Sequence, residues 1–466
     1  MSKVLQSISV YALTNVIGQL FSFGLVAVYT TILSPKDFGL LSTIEVAIFL
    51  CNTFVLLALD RAAQRYYYDD EPDYPNYVMN TVFWLILGWS VFLLAGLFVV
   101  EYLIGFDRPW LSQVNVFTWA ILISFGYAMN SMTLIYCQIH GKPKVYLYFT
   151  LCKLASLALF TWYFLYHKQL GVPGYLFAQA STYGVLTIFT VRLIQVRFVG
   201  FLSLALIKPL FAFSLPFVPT LISAWLMGMA NRFFLEHYAS LEDVALFSLA
   251  YKMSTAYFIA TAAIAITVGP ITFEAYKKEK KMTPELAHLL SRINAVLIVS
   301  AILLGVLAEP ALSWFFDETY QDAFQYISPL LLTHYLSAFM GVTTNLSLSF
   351  FKKTMLQMWF FMASALVCVA LNQLLVPEMG IKGTIIASIC STTFLFCLHG
   401  GAMKLLTLPH FSMVSAWIGV CVIGLSFLIN FQIKNASWQG VYPQVALLAL
   451  FLIFFAARQW KNTKNE

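Results

Sequence analysis

Residues 77–100 read YVMNTVFWLILGWSVFLLAGLFVV, a stretch of 24 residues without a charged side chain. An α-helix rises about 1.5 Å per residue, so a helix of this length crosses the ~30 Å hydrocarbon core of a bilayer. Backbone groups in lipid must be hydrogen-bonded within the protein, and a helix achieves this within one segment. The stretch therefore predicts a transmembrane helix.

The rest of the chain repeats this pattern. Of its 466 residues, 60% are hydrophobic and 10% charged, whereas soluble domains carry about 25% charged residues. Apolar stretches long enough to span a bilayer fall at 8–32, 38–60, 77–100, 114–137, 145–167, 172–196, 211–230, 243–272, 286–308, 323–350, 354–376, 381–404, 411–431 and 441–458. This composition excludes a cytosolic enzyme, a nucleic-acid-binding domain and a disordered chain. We predict an all-α polytopic membrane protein with about 14 transmembrane helices.

The lysine and arginine residues predict the orientation. Of 27 such residues, 19 fall in segments on the side of the N-terminus and six on the other side, while Lys153 and Lys252 lie inside spans. Cytoplasmic segments carry this excess of positive charge. Successive segments between spans lie on alternate sides of the membrane. If one span in the middle of the chain had been missed, the side assigned to every later segment would be reversed and the excess of positive charge would be lost. We therefore predict a multi-pass protein with both termini in the cytoplasm.

No residue pattern suggests catalysis, a cofactor or a metal. The seven cysteines lie in apolar runs, which favours small interior side chains, and the seven histidines form no HxxxH or HExxH pair. His334 and His399 lie within spans, where a hydrogen-bonded interior position is favoured over a proton relay. The predicted extracytoplasmic loops are all short, the longest being 309–322. An enzyme such as a membrane glycan polymerase or ligase is therefore disfavoured.

Two pairs of short segments indicate an internal repeat. SPKDFGLLS (34–42) aligns with SLEDVALFS (240–248), and GVPG (171–174) aligns with GIKG (380–383) at nearly the same offset. Six spans separate the copies, so both have the same orientation, which implies two six-helix lobes related by an axis along the membrane normal. Chance similarity of glycine- and leucine-rich helices is the alternative. The predicted organisation is an N-lobe (1–196), an interfacial linker helix (197–210), a C-lobe (211–404) and two C-terminal helices with a cytoplasmic tail (405–466).

Several short motifs, taken in order, resemble a known family. They are Asn15 and Gln19 in the first span, LSPKDFGLLS (33–42), LEDVALFSLAYK (241–252) and the G-x-x-G-x₃-A segments at 171 and 380. In order and spacing they resemble the Wzx-type polysaccharide or O-antigen flippases of the multidrug/oligosaccharidyl-lipid/polysaccharide (MOP) exporter superfamily, over essentially the whole chain. The resemblance implies the helix arrangement of the MATE and MurJ transporters.

The resemblance also implies a function. Such proteins move an undecaprenyl-diphosphate-linked oligosaccharide across the bacterial inner membrane by alternating access, for O-antigen, capsule or exopolysaccharide assembly. The implied partners are this lipid-linked oligosaccharide, membrane lipids, a proton or sodium ion as coupling ion, and the glycan polymerase machinery, without nucleic acid. The chain departs from the family at Asn231-Arg232, where an aspartate often precedes the arginine, and at Ala245, where a glycine is expected. An ion-coupled multidrug exporter of the same superfamily is the alternative.

A few charges lie at bilayer depth, where insertion costs roughly 2.5–3.5 kcal/mol each. Glu45, Lys153 and Lys252 are inside spans, and Asp60, Arg61 and Arg65 lie at the cytoplasmic end of span 2. We expect a cavity at the lobe interface, where cations bind the diphosphate. The predicted substrate-binding residues are Arg61, Arg65, Lys153 and Lys252; those predicted for gating or ion coupling are Glu45, Asp60 and Arg232. Glu45 and Lys252 are predicted to pair in one state. A static ion pair or snorkelling side chains are the alternatives.

Overall fold

The computed structural model describes residues 3–67, 74–104, 116–194, 203–279, 282–312, 314–351, 353–408 and 413–432. Within these ranges every regular element is a helix, so the all-α prediction is confirmed. The chain divides into two compact units, Met1–Trp225 (unit 1) and Leu226–Glu466 (unit 2).

The helices of unit 1 are long, apart from a short helix after the second. They are α1 (Lys3–Ile32), α2 (Pro35–Leu56), α3 (Leu59–Tyr66), α4 (Tyr74–Ile104), α5 (Val116–Ile139), α6 (Pro143–Thr161), α7 (Gly171–Ile194), α8 (Leu204–Ser214) and α9 (Val218–Gly228), the last of which crosses into unit 2. A π-helical turn, Trp162–His167, extends α6, and a 3₁₀ turn, Leu215–Phe217, joins α8 to α9. Helices α2, α5 and α7 pack against one another, and α6 packs on α1 and α7.

Unit 2 contains more short helices. They are α10 (Asn231–Tyr238), α11 (Leu241–Ser254), α12 (Tyr257–Glu279), α13 (Pro284–Leu312), α14 (Ile327–Val342), α15 (Thr344–Phe350), α16 (Thr354–Met379), α17 (Ile381–Leu405) and α18 (Met413–Gln432). A 3₁₀ segment, Glu318–Tyr326, precedes α14. Helix α17 packs along α16 and α14, and α10 rests on α11 and α16.

Ten helices in the described part of the chain are long and apolar enough to cross a membrane. They correspond to predicted spans 1–7, 9, 11 and 12. Predicted span 13 coincides with α18, whose described apolar portion, Val414–Leu425, is shorter. Predicted span 14 lies outside the described residues. The protein is therefore a multi-pass membrane protein.

Predicted spans 8 and 10 are interrupted helices. Span 8 is divided between α11 and α12 at Thr255 and Ala256, and span 10 between α14 and α15 at Thr343. Hydroxyl groups bind carbonyls next to the first break: Thr255 Oγ1 donates to Lys252 O at 2.6 Å, and Ser254 Oγ donates to Tyr251 O at 2.8 Å. Such side chains satisfy the backbone groups that a break in a membrane helix releases.

Residues 204–210 lie in α8, which extends to Ser214 and is thus placed further along the chain than the predicted linker helix 197–210; the interfacial position of this linker stays a prediction. Residues 204–210 begin a helical run, Leu204–Gly228, that continues through the 3₁₀ turn into predicted span 7. Leu206, Leu210 and Ser214 are buried at a spacing of four, so one stripe of the helix faces the protein interior without interruption. Residues 197–202 lie outside the described part of the chain.

The seven cysteines are unpaired, but only Cys137 and Cys368 are buried. Cys152, Cys390 and Cys397 are exposed on the helix surfaces, contrary to the predicted interior positions. A membrane helix is apolar on its lipid-facing side as well, so an apolar neighbourhood in the sequence does not indicate the interior of the protein.

The first pair of repeated segments forms the same helix start in both units. In unit 1, Ser34 Oγ accepts the Asp37 backbone N–H at 3.1 Å and donates to Asp37 Oδ2 at 2.7 Å. In unit 2, Ser240 Oγ accepts from Asp243 N at 3.0 Å and donates to its Oδ2 at 2.8 Å. Both contacts belong to an N-terminal cap, with the carboxylate stabilised by the helix dipole.

The glycines of the second pair of repeated segments also have the same roles in both units. Gly171 and Gly380 have φ of 59° and 53°; Gly171 is the first residue of α7, and Gly380 is the cap directly before α17. Three residues later, a Cβ on Gly174 would lie 3.0 Å from Phe164 O, and one on Gly383 would lie 2.5 Å from Leu375 O. In each unit, one glycine allows the turn and the next allows the close approach of the preceding segment. This agreement argues against chance similarity of the segments.

Candidate functional site

Helix α3 carries three predicted site residues, Asp60, Arg61 and Arg65, directly after a sharp break in the chain. Leu57 and Ala58 have φ of 47° and 55°, a left-handed conformation that costs a residue with a Cβ roughly 1–2 kcal/mol. Both residues are buried, so surrounding packing maintains the break. Strained backbone of this kind is concentrated at functional sites. The start of α3 is therefore a candidate site.

The two sides of α3 differ in character. Leu59, Ala62 and Ala63 are fully buried in the apolar core of unit 1, where α3 packs on α8. Arg61 and Arg65 are exposed. Residues four apart lie on the same face of a helix, so both guanidinium groups extend from one side of α3.

Aromatic rings lie beside both guanidinium groups. Arg61 Cζ is 5.1 Å from the centroid of the Phe217 ring, and Arg65 Cζ is 5.8 Å from that of Tyr66. Tyr66 packs edge-on against Phe213 with the ring centroids 6.1 Å apart. Guanidinium groups stack on aromatic faces and bind oxyanions through the N–H donors in their plane. The exposed side of α3 thus combines cations with aromatic surface.

Asp60 lies at the first turn of the same helix. Its Oδ1 accepts the backbone N–H of Arg61 at 2.9 Å, and its Oδ2 accepts the Ser131 hydroxyl on α5 at 3.3 Å. A carboxylate at a helix N-terminus is stabilised by the helix dipole. These contacts give Asp60 a structural role, and its predicted gating or ion-coupling role stays a prediction.

A second cluster of basic and aromatic residues lies beside the end of α3. The Tyr67 hydroxyl contacts His140 Nε2, and His140 Nδ1 lies 2.9 Å from the carbonyl oxygen of Tyr136. Lys142 Nζ is 5.0 Å from the centroid of the Tyr136 ring. The contacts join the ends of α3 and α5 and add a lysine and a histidine to the region of Arg61 and Arg65.

Glu45 is half-buried on α2 and belongs to a different polar group. Its Oε1 accepts the Tyr175 hydroxyl from α7 at 3.0 Å, and Tyr175 in turn accepts an N–H of Gln179 at 3.0 Å. The Tyr29 ring on α1 packs edge-on against Tyr175 with the centroids 5.6 Å apart. Three helices therefore surround the carboxylate with polar and aromatic side chains. Its predicted gating or ion-coupling role stays a prediction.

Arg232 on α10 of unit 2 is a buried charged residue, only 3% exposed. Its Nε donates to Ser248 Oγ at 2.8 Å, and its Cζ lies 5.5 Å and 4.9 Å from the ring centroids of Phe247 and Tyr251. A buried guanidinium with a hydrogen bond and two ring contacts is held rigidly. The sequence places Arg232 between predicted spans 7 and 8, and the structure buries it within unit 2. Its predicted gating or ion-coupling role stays a prediction.

The neighbouring Asn231 joins three helices through a buried network. Asn231 donates to Ser388 Oγ at 3.0 Å and accepts from Asn372 Nδ2 at 3.0 Å, while Thr384 Oγ1 donates to Asn372 Oδ1 at 3.1 Å. These four side chains come from α10, α16 and α17. Asn372 on α16 thus contacts both α10 and α17.

His334 has the hydrogen-bonded interior position predicted for it. It is buried on α14, and its Nε2 lies 2.9 Å from the Ser254 hydroxyl at the end of α11. The Tyr251 ring, which lies under Arg232, also packs edge-on against His334 at 5.5 Å between centroids. Lys252, the next residue along α11, is half-buried.

The predicted cationic residues are distributed over several helices. Arg61 and Arg65 share α3, whereas Lys153 lies half-buried on α6 and Lys252 lies on α11 of unit 2. The described residues offer the Lys153 ammonium no hydrogen bond or ion pair. Glu45 and Lys252 belong to different units, and their pairing stays a prediction.

Three residues around Glu45 were not predicted from the sequence: Tyr29, Tyr175 and Gln179. The available signal is that each is a polar side chain within an apolar span, but the sequence contains many such residues.

Throughout the described ranges, no group of three or more His, Cys, Asp or Glu side chains is arranged to hold a metal ion.

Solved structures share this arrangement of helices. The lipid II flippase MurJ in an inward closed conformation is similar over 97% of this chain and 99% of its own, with a TM-score of 0.65 and 12% identity. An inward-facing multidrug resistance transporter of the MATE family matches 84% of this chain and 95% of its own, with a TM-score of 0.63 and 13% identity. The fold class of this chain is therefore the one shared by these two transporters.

The sequence comparisons give the family within this class. The family described as polysaccharide biosynthesis protein matches residues 4–275, more than half of the chain. The chain belongs to this family. Protein 1 of the Lsg locus of Haemophilus influenzae is 24% identical over 344 residues, which cover 72% of this chain and 82% of that protein. The Wzx-type resemblance is thereby confirmed at the level of the family.

Proposed function

We propose that the protein translocates an undecaprenyl-diphosphate-linked oligosaccharide from the cytoplasmic to the periplasmic leaflet of the bacterial inner membrane. The family and the fold support a transporter in polysaccharide biosynthesis. The observation that carries the finer proposal is the exposed side of α3, where Arg61 and Arg65 lie beside aromatic rings. O-antigen, capsule or exopolysaccharide assembly is the pathway class that uses such a substrate.

The chemistry of α3 fits the head group of this substrate. A diphosphate presents several oxygens to planar guanidinium donors, which bind phosphate in a bidentate manner. Aromatic side chains such as Tyr66 and Phe217 present large apolar faces next to these charges. The excess of lysine and arginine on the N-terminal side of the predicted spans includes Arg61 and Arg65, which supports a cytoplasmic position for α3.

The test is complementation of a strain that lacks the native gene. The double variant R61A/R65A should reduce surface glycan strongly and retain the lipid-linked intermediate, because each lost charged contact to phosphate is worth about 1.5–3 kcal/mol. R292A, which removes an exposed arginine from α13, is the matched control and should complement fully. K252A tests the predicted substrate role of Lys252 in the same assay.

The outcomes separate this function from the alternative. Full complementation by R61A/R65A would show that α3 does not bind the substrate. Unchanged surface glycan in the strain without the gene, together with increased sensitivity to organic cations, would instead identify a multidrug exporter.

A further inference from the structure

We propose that the end of α6 binds the head group of an anionic phospholipid. The site is the exposed side of the π-helical turn Trp162–His167 together with the next residue, and its side chains are those of Trp162, Tyr163, His167 and Lys168. It lies at the end of a membrane span, Pro143–His167, on the side that the lysine and arginine pattern predicts to be extracytoplasmic. A lipid of the surrounding bilayer is not the transported molecule, so the inference goes beyond the proposed function.

The π-helical turn brings residues five apart next to each other. Lys168 N donates to Tyr163 O at 3.0 Å, which is the i to i+5 hydrogen bond of a π-helix. The same spacing pairs Trp162 with His167, whose rings stack with the centroids 5.8 Å apart and 15° between the planes. Lys168 Nζ lies 5.8 Å from the centroid of the Tyr163 ring. An α-helix instead brings residues three and four apart together, so the turn creates both pairs of an aromatic and a basic side chain.

The inner side of the turn is fixed against α7. Leu165 is fully buried, and the Phe164 ring packs against Phe177 on α7 with the centroids 5.8 Å apart. Phe164 O also accepts the backbone N–H of Leu170 at 3.1 Å. On the outer side, Trp162 is 53% exposed. The exposed aromatic and basic side chains therefore have a rigid support.

The two basic side chains of the turn have no acidic counterpart. His167 and Lys168 are exposed, and the described residues offer neither the imidazole nor the ammonium group a hydrogen bond or an ion pair. Helix α6 packs on α1, α5 and α7, and none of these three helices contains an aspartate or glutamate. The sequence contains no acidic residue from 108 to 235. The local electrostatic field therefore favours a negatively charged ligand.

The aromatic rings favour a lipid over a free anion. Tryptophan and tyrosine are enriched at both membrane–water interfaces, where an apolar ring and a polar tip contact lipid and water together. Basic residues at a membrane surface attract anionic head groups. Trp162 and Tyr163 would contact the glycerol region and the upper acyl chains. His167 and Lys168 would bind the phosphate, whereas a free phosphate ion would leave both aromatic rings without a ligand contact.

The test is quenching of Trp162 fluorescence by brominated lipids in nanodiscs that contain the purified full-length protein. Phosphatidylglycerol and phosphatidylcholine, each brominated on the acyl chains, are titrated separately. Bromine quenches a tryptophan only at short range, and the difference between wild type and W162F isolates Trp162 among the 11 tryptophans. Trp162 should be quenched at a several-fold lower fraction of phosphatidylglycerol than of phosphatidylcholine. K168A, measured against K168A/W162F, should lose most of this preference, since one basic residue near an anionic surface contributes about fivefold.

The matched control is K36A. Lys36 is exposed at the start of α2 and is predicted to lie on the same side of the membrane, but Asp37 follows it directly. K36A should keep the wild-type preference. Lys168 is exposed, and among the described residues its ammonium contacts only the Tyr163 ring, so K168A should fold. Native mass spectrometry of the wild type, K36A and K168A in detergent counts the retained phosphatidylglycerol and gives a second measure that needs no change at Trp162.

Four results would overturn the proposal. Equal quenching of Trp162 by the two lipids is the result expected of an ordinary aromatic belt, and an undiminished preference in K168A would exclude the lysine. Displacement of phosphatidylglycerol by millimolar inorganic phosphate would assign the site to a free anion. Tighter binding of undecaprenyl diphosphate than of phosphatidylglycerol would assign it to the transported lipid. The assay measures no transport, so its failure is separate from a failure of R61A/R65A to affect complementation.

Discussion

Adding a methyl group at Gly383 should destabilise unit 2, because the space for it is occupied by the backbone of α16. A Cβ at this position would lie 2.5 Å from Leu375 O and 3.0 Å from Val376 N, whereas carbon atoms pack at about 3.5–4.0 Å. Both obstacles are backbone atoms, so α16 and α17 must move apart by roughly 1 Å. Overpacking of this kind typically costs about 1–3 kcal/mol, and we expect G383A to lie at the upper end.

Two other glycines provide matched comparisons. No atom lies within 4 Å of a Cβ at Gly401, on the same helix α17. G401A should therefore stabilise the protein by about 0.5–1 kcal/mol, the ordinary gain from replacing glycine in a helix. Gly174 in unit 1 is intermediate, because its Cβ would meet Phe164 O at 3.0 Å. The expected order of stability is G401A, then G174A, then G383A.

The assay is thermal unfolding of the full-length variants in one detergent, followed by tryptophan fluorescence and by the fraction that remains monodisperse after heating. A loss of about 3 kcal/mol should lower the Tm of G383A by several degrees relative to the wild type. Equal Tm values for G383A and G401A would refute the reasoning, since the two substitutions then could not differ in the space available to them.

Two further substitutions test the candidate sites by their stability. The free energy of unfolding of A58G should lie within about 1 kcal/mol of the wild-type value, because relief of the left-handed conformation offsets the lost methyl group. A62G, in the regular part of α3, should lose about 1–2 kcal/mol of stability. A similar loss in both variants would contradict the strain at Ala58. R232K should lose about 2–4 kcal/mol of stability, because lysine cannot reproduce the hydrogen bond to Ser248 and the ring contacts. The control R292K, at an exposed position, should remain within about 0.5 kcal/mol of the wild type. An R232K variant as stable as the wild type would refute a rigidly held guanidinium.

Much of the fold was predictable because apolar length and charge placement depend on local sequence. Ten of the predicted spans match continuous apolar helices, and the serine caps at Ser34 and Ser240 begin α2 and α11 where the repeat places them. The breaks were less predictable. Leu57 and Ala58 are ordinary helix formers without the glycine or asparagine that usually marks a left-handed turn, so only tertiary packing explains their conformation.

The candidate site was predictable as a set of charges but not as a set of contacts. Glu45 stands out in the sequence because a carboxylate is costly at bilayer depth. Its partner Tyr175 is 130 residues away, and no local pattern connects the two. Arg232 shows the opposite difficulty: the sequence assigns it to a loop, since spans were bounded at charges, whereas the structure surrounds it with Ser248 and two aromatic rings.

The two units share their serine caps and glycine pairs, and this has a consequence for how such a protein can change. These residues lie at the starts of helices, whereas the side chains that distinguish the units, Glu45 within α2 and Arg232 near the start of α10, contact other residues inside their own unit. The same serine and glycine positions therefore begin helices in both units although the charges inside the units differ. Replacing the charge inside one unit should consequently leave these helix starts intact.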